Sequence, residues 1–211
     1  GDIVQMKGIT KTFGRVQALR NVDFNVKENE IVGLLGDNGA GKSTLIKILS
    51  GVLRPDKGEI YLKGEKVHIR DTNDAIKHGI ETIYQDSALV TQLSIARNLF
   101  LGREPTRGPR FLNWMDQDAL ILDEPTNNLG VEETQGVLRF VRNARTSGHS
   151  CVLIAHNIYH VFQVVDRIVV LRQGEKVADD IDPKQTSVEE VEHIITGMAP
   201  RSEPAVAPVS V

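Results

Sequence analysis

The chain has 211 residues, of which 40% are hydrophobic and 25% are charged, and this composition excludes collagen-like and wholly disordered proteins. Its 28 acidic residues outnumber its 25 basic ones, and the net charge of −3 disfavours nonspecific binding to nucleic acid or anionic lipid. No apolar run approaches the roughly 18 residues that a membrane-spanning helix needs, and the first residues carry no signal-peptide pattern. The length predicts one domain, or one domain with a small appendage.

Two kinds of strand pattern predict the fold class. Three segments alternate apolar and polar residues, as in antiparallel strands with one solvated face: residues 3–4, 22–26 and 60–62. Three others are continuous apolar runs, as in parallel strands covered on both faces: residues 31–35, 119–122 and 152–154. The prediction is an α/β fold with a central, mainly parallel sheet and an N-terminal antiparallel β-subdomain.

Helical patterns separate these strands. The predicted helices are residues 43–50, about 75–78, 131–145, 158–165 and 187–196. The last one opens with Ser187 and Glu190, whose spacing predicts a capping box. The final residues, 199–211, are rich in Ala, Pro, Val and Ser, which predicts a disordered tail.

Cys151 is the single cysteine of the chain, so it cannot form an internal disulfide. It lies in the apolar run 151–154, which favours a buried thiol in a reducing cytosol. The alternative is a reactive or metal-binding thiol, but free cysteine is among the most buried residue types.

Residues 36–44 match the pattern G-x-x-x-x-G-K-[ST] directly after an apolar strand and at the start of a helix. Glycines allow backbone N–H groups to face a triphosphate, and the helix N-terminus adds partial positive charge. Lys42 is expected to bridge the β- and γ-phosphates, and Ser43 to hold Mg²⁺. The alternative is a glycine-rich turn with a chance lysine. The predicted ATP-binding residues of this loop are Gly36, Asp37, Asn38, Gly39, Ala40, Gly41, Lys42, Ser43 and Thr44.

Two acidic residues, Asp123 and Glu124, follow the apolar strand at 119–122. Ligands of open α/β sheets bind at the carboxyl ends of the strands. Beside a phosphate-binding loop, Asp123 is expected to hold Mg²⁺, directly or through water, and Glu124 to polarise the attacking water. Taken alone, an acidic pair in this place is more often a solvated loop.

With these motifs the sequence resembles the ATP-binding subunits of ABC transporters, over nearly the whole chain to about residue 198. The resemblance implies one ABC-type ATP-binding domain over residues 1–198. In that family an aromatic ring stacks on adenine, and Phe13 stands at the matching position; without the family, Phe13 is equally well an ordinary core residue. The family's glutamine, which contacts Mg²⁺ and the attacking water and links the site to the permease, matches Gln85.

The family's switch histidine, which contacts the γ-phosphate and orients the catalytic groups, matches His156. Because His156 comes just after the apolar run 152–154, it is expected to reach the same crevice as Lys42 and Glu124. His160 lies one helical turn further on, and this H-x-x-x-H spacing is an alternative zinc-binding pattern for which no third ligand is evident.

Within the family, the chain is most similar to sugar importers of the ribose and fructose type. Four stretches carry this likeness: residues 36–39, 98–104, 124–131 and 156–162. The resemblance implies an ATPase that powers sugar import with ATP and Mg²⁺. It also implies a cytoplasmic subunit held on the inner face of the membrane by transmembrane permease subunits, which work with a sugar-binding protein.

The chain has one phosphate-binding loop, so the resemblance implies a second ATPase subunit, expected to be an identical chain. Nucleic acid is not an expected partner. The apolar-rich segment 89–100 is a hypothetical permease-docking surface, although the same pattern also suits packing on the sheet.

One family feature is missing from the sequence. A Leu-Ser-Gly-Gly-Gln-like signature loop and a helical subdomain belong between Gln85 and Asp123, but the sequence passes directly from Trp114 through residues 115–118 into the strand at Ala119. Two interpretations stay open: a segment is omitted between residues 114 and 119, or the chain is a natural deletion.

The two interpretations imply different functions. An omission leaves the ATPase hypothesis intact, whereas a natural deletion favours a non-catalytic nucleotide-binding regulator. A soluble ABC-type protein of DNA repair or translation is a third hypothesis, which the acidic balance and the lack of a Lys/Arg-rich extension disfavour.

Overall fold

The computed structural model describes residues 1–83, 119–125, 131–155 and 157–198. In these residues an antiparallel sheet of four strands packs beside a larger, mainly parallel sheet. The strands of the antiparallel sheet are β1 (Asp2–Phe13), β2 (Val16–Lys27), β4 (Lys57–Leu62) and β5 (Glu65–Val67), in the order β2-β1-β4-β5. All three predicted antiparallel segments lie in this sheet.

The larger sheet has six strands in the described residues, in the order β10-β9-β3-β8-β7-β6. They are β3 (Ile31–Leu35), β6 (Ile80–Ile83), β7 (Ala119–Asp123), β8 (Ser150–Ile154), β9 (Arg167–Arg172) and β10 (Glu175–Ile181). Neighbours pair in parallel, except that β10 is antiparallel to β9. The three predicted parallel strands are β3, β8 and β7, which lie side by side, and the predicted α/β class is confirmed.

Five helices are present in the described residues. They are α1 (Lys42–Leu49), α2 (Thr72–Lys77), α3 (Val131–Thr146), α4 (Ile158–Phe162) and α5 (Val188–Thr196). The predicted boundaries of two helices were wrong: α2 begins at Thr72 because Asp71 caps it, and α4 ends at Phe162 because Asp166 already bonds to β3 through Ile31. The capping box of α5 is confirmed.

Some predictions fall outside the described residues. These are the break between residues 114 and 119, the segment 89–100 and the tail at 199–211. Within the part of the chain that is described, no helix is both long enough and apolar enough to cross a bilayer.

Side chains of the central strands alternate between two apolar layers. In β3, Val32 and Leu34 face the layer shared with α1 and the antiparallel sheet, whereas Ile31 and Leu35 face the layer beneath α3, α4 and α5. Because both faces of the sheet are covered, its strands carry the continuous apolar runs seen in the sequence.

The buried position predicted for Cys151 is confirmed. Its side chain is fully buried in β8, and burial, reinforced by the charge of Asp166, raises the pKa of the thiol to about 12. Only the thiolate reacts with disulfide reagents. We therefore expect no labelling of the native protein by a chromogenic disulfide reagent at about pH 8, and labelling of one thiol per chain in denaturant. Rapid labelling of the native protein would contradict this.

A buried ionic cluster lies at the amino end of β3, and we call it the Arg167 cluster. Arg167 holds the Glu30 carboxylate with two nitrogens, at 2.7 Å from Nε to Oε1 and 3.1 Å from Nη2 to Oε2. Its other hydrogen bonds reach Asp179 Oδ1 at 2.6 Å and the carbonyl oxygen of Asn25 at 2.9 Å. Burial opposes the charge, but the two carboxylates outweigh it and raise the pKa of Arg167. The cluster joins β2, β9 and β10.

Candidate functional site

The loop that connects β3 to α1 follows a path that only glycine permits at two points. Gly36 and Gly41 have φ angles of 150° and 104°, which other residues rarely adopt. A Cβ atom at Gly36 would lie 2.2 Å from the carbonyl oxygen of Leu171, and one at Gly41 would lie 2.7 Å from that of Ala18. The glycines of the sequence pattern are therefore required by packing as well as by backbone conformation.

The N-terminus of α1 is open to an anion. Gly41 is its N-cap residue and supplies no capping side chain, and the first turn contains no acidic residue. Backbone N–H groups at such a helix end carry partial positive charge and bind phosphate or carboxylate. Ser43 is exposed in this first turn, and Thr44 beside it is half-buried. Asp37, Asn38 and Gly39 form the exposed outer part of the loop.

Lys42 is folded into the loop. Its side chain is buried, and Nζ donates hydrogen bonds to the carbonyl oxygens of Gly36 at 2.7 Å and Asp37 at 3.0 Å. Burial lowers the pKa of Lys42, and the nearby charges of Glu124, Asp123 and Asp37 partly offset that effect. A buried ammonium group held by neutral carbonyls would gain stability from a phosphate placed beside it.

Asp123 and Glu124 lie at the carboxyl end of β7. Asp123 is the last residue of the strand, is 6% exposed and pairs with Ile154 of β8. The Glu124 N–H donates to the carbonyl oxygen of Ile154 at 2.8 Å, and Glu124 has a positive φ of 51°. A positive φ at a non-glycine residue is a strained backbone state that recurs at functional sites. Because β3 and β7 lie parallel on either side of β8, these carboxylates and the loop that holds Lys42 lie at the same edge of the sheet.

Phe13 is the last residue of β1, where the β1–β2 hairpin turns. Its side chain is 46% exposed, so the interpretation of Phe13 as an ordinary core residue is wrong. Asp56 holds the strand end: it accepts hydrogen bonds from Lys11 Nζ at 2.8 Å and from the Thr12 N–H at 2.7 Å. Phe13 therefore presents an accessible ring on a fixed backbone.

Two predicted site residues, Gln85 and His156, lie outside the described residues. Their neighbours are described: β6 ends at Ile83, and Asn157 caps α4 by accepting a hydrogen bond from the Tyr159 N–H at 3.0 Å. The alternative zinc pattern of His156 and His160 stays a prediction, because His156 lies outside the described residues. Among the residues that are described, no group of three or more metal-binding side chains occurs.

Sequence reasoning missed the residues that pack against the loop from outside. The carbonyl oxygens of Ala18 and Leu171 lie against Gly41 and Gly36, and Gly174 bonds to Ala40. The available signal was the apolar run 168–171 followed by Gln173 and Gly174, a strand and turn pattern that belongs to β9 and its hairpin.

Comparison with known proteins agrees with this arrangement. Residues 19–120 match the family model described as ABC transporter. The xylose/arabinose import ATP-binding protein of Sulfolobus acidocaldarius is 36% identical over 94% of this chain and 95% of its own. The fructose import ATP-binding protein of Rhizobium meliloti is 34% identical over 97% of this chain and 98% of its own.

Other curated relatives are longer. A ribose import ATP-binding protein of Caldanaerobacter subterraneus is 37% identical over 82% of this chain, but the match spans only 43% of that protein. Two solved structures, an ATP-binding cassette and a part of an ABC transporter complex, show the same fold. One, nucleotide-free and from an ABC transporter, has a TM-score of 0.73 at 19% identity over 93% of this chain and 96% of its own. The other, cbiO1 of Clostridium perfringens, has a TM-score of 0.72 at 21% sequence identity. The match covers 95% of this chain and 96% of that one.

The fold and the loop at the carboxyl end of β3 define a P-loop NTPase fold of the α/β class. More narrowly, the chain belongs to the ATP-binding proteins of the ABC transporter family. The resemblance inferred from the sequence motifs is thereby confirmed.

Proposed function

We propose that this protein is the ATP-binding and ATP-hydrolysing subunit that powers sugar import through a membrane ABC transporter. The observation that carries the proposal is the geometry of the loop. No side chain fits at Gly36 or Gly41, the N-terminus of α1 has no side-chain cap, and Lys42 is buried and bonded to two carbonyl oxygens. The names of the similar proteins, which are ribose, xylose/arabinose and fructose import ATP-binding proteins, support the sugar class.

The donor groups at the site suit Mg²⁺. The Ser43 hydroxyl and the Asp123 carboxylate are hard oxygen ligands of the kind that Mg²⁺ prefers in phosphate-binding sites. The loop beside these oxygens has room only for glycine at position 41, where a Cβ atom would lie 2.7 Å from the carbonyl oxygen of Ala18. When bound, Mg²⁺ would neutralise phosphate charge.

The remaining roles follow from chemistry at each side chain. Lys42 leaves the two loop carbonyls and binds the β- and γ-phosphates, which compensates its buried charge. Glu124 accepts a proton from the water that attacks the γ-phosphate in line, while its strained backbone holds the carboxylate at the strand end. Phe13 stacks on adenine. Gln85 and His156 are assigned by resemblance to the water and the γ-phosphate.

The partners of this subunit follow from the same proposal. A transmembrane permease binds it at the cytoplasmic face of the membrane, a sugar-binding protein delivers the substrate to that permease, and a second ATPase subunit, an identical chain, completes the nucleotide site. Co-purification with a permease would support this assembly. Co-purification with ribosomes or DNA would favour a soluble ABC-type protein.

A non-catalytic nucleotide-binding regulator is the second candidate. The match to the fructose import protein extends over 255 residues, at least 44 more than the 211 of this chain, so that relative contains residues this chain lacks. A missing signature segment between residues 114 and 119 would account for the difference. Measuring ATP affinity and phosphate release separately distinguishes the candidates, because tight binding without release identifies a regulator.

The role of Lys42 can be tested against a matched lysine on the same helix. We expect Lys42→Met to weaken binding of Mg²⁺ and ATP by about 10- to 100-fold, the value of a charge-assisted hydrogen bond to phosphate. Stability in urea should not fall, because burial already disfavours the Lys42 charge. Titration calorimetry measures the affinity.

Lys47→Met serves as the control, because Lys47 is exposed near the other end of α1. It should bind ATP like the wild type. Equal affinities for the Lys42 and Lys47 variants would remove Lys42 from the nucleotide site.

A further inference from the structure

The turn between β9 and β10 has one exposed residue, Gln173, and one buried residue, Gly174. It consists of Gln173 and Gly174, with φ angles of 51° and 81°, and the strands close directly around it in the pair Arg172 and Glu175. Two positive φ angles in a two-residue hairpin define a type I′ turn. Such turns are usually exposed, but Gly174 is buried.

Gly174 is buried because both polar groups of its backbone bind other parts of the chain. Its N–H donates to the carbonyl oxygen of Ala40 at 3.0 Å, and its carbonyl oxygen accepts from the Arg20 N–H at 2.7 Å. Ala40 belongs to the phosphate-binding loop and Arg20 to β2. One glycine thus connects that loop to the antiparallel sheet.

The space around this connection is filled. A Cβ atom at Gly174 would lie 2.8 Å from the carbonyl oxygen of Ala18 and 3.3 Å from that of Gln17. The Ala18 oxygen is also the atom that a Cβ at Gly41 would meet, at 2.7 Å. Any side chain at position 174 must therefore push the turn away from β2, and the Ala40 carbonyl would lose its partner.

The hairpin is held from its other side as well. The Arg172 guanidinium donates to the carbonyl oxygen of Ile194 at 3.1 Å, near the C-terminal end of α5. Arg20 and Glu175 form an additional exposed ion pair at 3.7 Å between β2 and β10. The turn is therefore a fixed support, against which the loop backbone rests.

We infer that Gly174 is a positioning residue for nucleotide binding: its turn holds the Ala40–Gly41 backbone in the phosphate-binding conformation before the nucleotide arrives. The inference rests on the proposed function. A loop whose N–H groups are already arranged loses less conformational entropy on binding than a flexible loop does, so its affinity is higher. Displacing the support should weaken binding without removing any group that touches the nucleotide.

A second turn in the chain provides a matched control. Lys63 and Gly64 connect β4 to β5 with φ angles of 50° and 83°, nearly those of the β9–β10 turn. Gly64 is exposed, and a Cβ atom there would meet nothing within 4 Å. Alanine at either position is destabilised to the same extent by the positive φ. Only at position 174 does its Cβ atom also clash with another segment of the chain.

The experiment measures the affinity for a non-hydrolysable ATP analogue with Mg²⁺, together with the urea midpoint, for Gly174→Ala, Gly174→Asn and Gly64→Ala. We expect both Gly174 variants to raise Kd by about tenfold, the value of one backbone hydrogen bond, and Gly64→Ala to change it less than about twofold. Asparagine tolerates positive φ, so Gly174→Asn retains the clash while reducing the conformational strain.

Hydrogen exchange in the wild type gives a reading that needs no substitution. Binding of the analogue should slow exchange at the Gly174 and Arg20 N–H groups and leave the Lys63–Gly64 turn unchanged. Equal Kd values for the Gly174 and Gly64 variants, or exchange at Gly174 that does not respond to binding, would overturn the inference. A wild-type protein that does not bind the analogue would instead overturn the proposed function, and the inference with it.

Discussion

Glu124→Gln is expected to slow ATP hydrolysis by about 10²–10⁴-fold, the usual contribution of a general base, while ATP binding is retained. Glutamine keeps the size of the side chain but cannot accept the proton of the attacking water. The backbone of Glu124 is held independently of its carboxylate, through its N–H bond to the carbonyl oxygen of Ile154 at 2.8 Å. The variant should therefore fold normally.

The measurements are steady-state phosphate release and ATP affinity for the wild type, Glu124→Gln and Glu189→Gln. Glu189 is an exposed glutamate in the first turn of α5, so its variant should match the wild type in both. Retained hydrolysis in Glu124→Gln would remove Glu124 from the role of general base.

The same variant tests the electrostatics of the site. Among the charges that raise the pKa of Lys42 against the effect of burial, that of Glu124 is the largest. Its removal should lower the pKa of Lys42 further. Because the protonated amine binds phosphate, ATP affinity at alkaline pH should decline at a lower pH in Glu124→Gln than in the wild type.

Arg167→Met is expected to destabilise the fold by about 3–5 kcal/mol, because it leaves buried carboxylates without their counter-charge. Glu30 is 8% exposed and would lose both of its bonds to the guanidinium. Asp179 would lose its bond of 2.6 Å, although Lys176 continues to pair with it. Urea unfolding of the purified chain measures the loss of stability.

Two further variants complete this test. Arg142→Met removes an exposed arginine of α3 that donates to the carbonyl oxygen of Gln163, and it should change stability by less than about 0.5 kcal/mol. Adding Glu30→Met to Arg167→Met should restore part of the stability, since an apolar pair replaces an uncompensated charge. A loss below about 1 kcal/mol for Arg167→Met would contradict the structural role of the cluster.

Local sequence was sufficient to predict the glycine-rich loop between β3 and α1 and the acidic carboxyl end of β7. In residues 36–44 the glycines, the lysine and the following helix are consecutive, so their chemistry is visible without knowledge of the fold. Asp123 and Glu124 likewise follow directly from an apolar strand. The roles of these residues stay predictions until nucleotide binding is measured.

Contacts between distant segments could not be predicted in this way. Arg167 and Glu30 are 137 positions apart, and nothing local to either residue indicates the other. The β10 strand was missed because Glu175–Ile181 is mostly half-buried and carries four charged residues, which obscures any strand period. The exposure of Phe13 could not be predicted for a related reason. An aromatic residue beside a turn can pack in a core or contact a ligand, and local sequence does not distinguish the two.

The Arg167 cluster and the phosphate-binding loop lie at opposite ends of β3, with the cluster before Ile31 and the loop after Leu35. Five strand residues span about 16 Å, well beyond the roughly 10 Å within which substitutions usually interact. Substitutions at the two ends should therefore act independently, so that those in the Arg167 cluster change the free energy of unfolding and those in the loop change catalysis. The amino end of β3 is consequently a place where substitutions can raise the melting temperature without altering the rate of ATP hydrolysis.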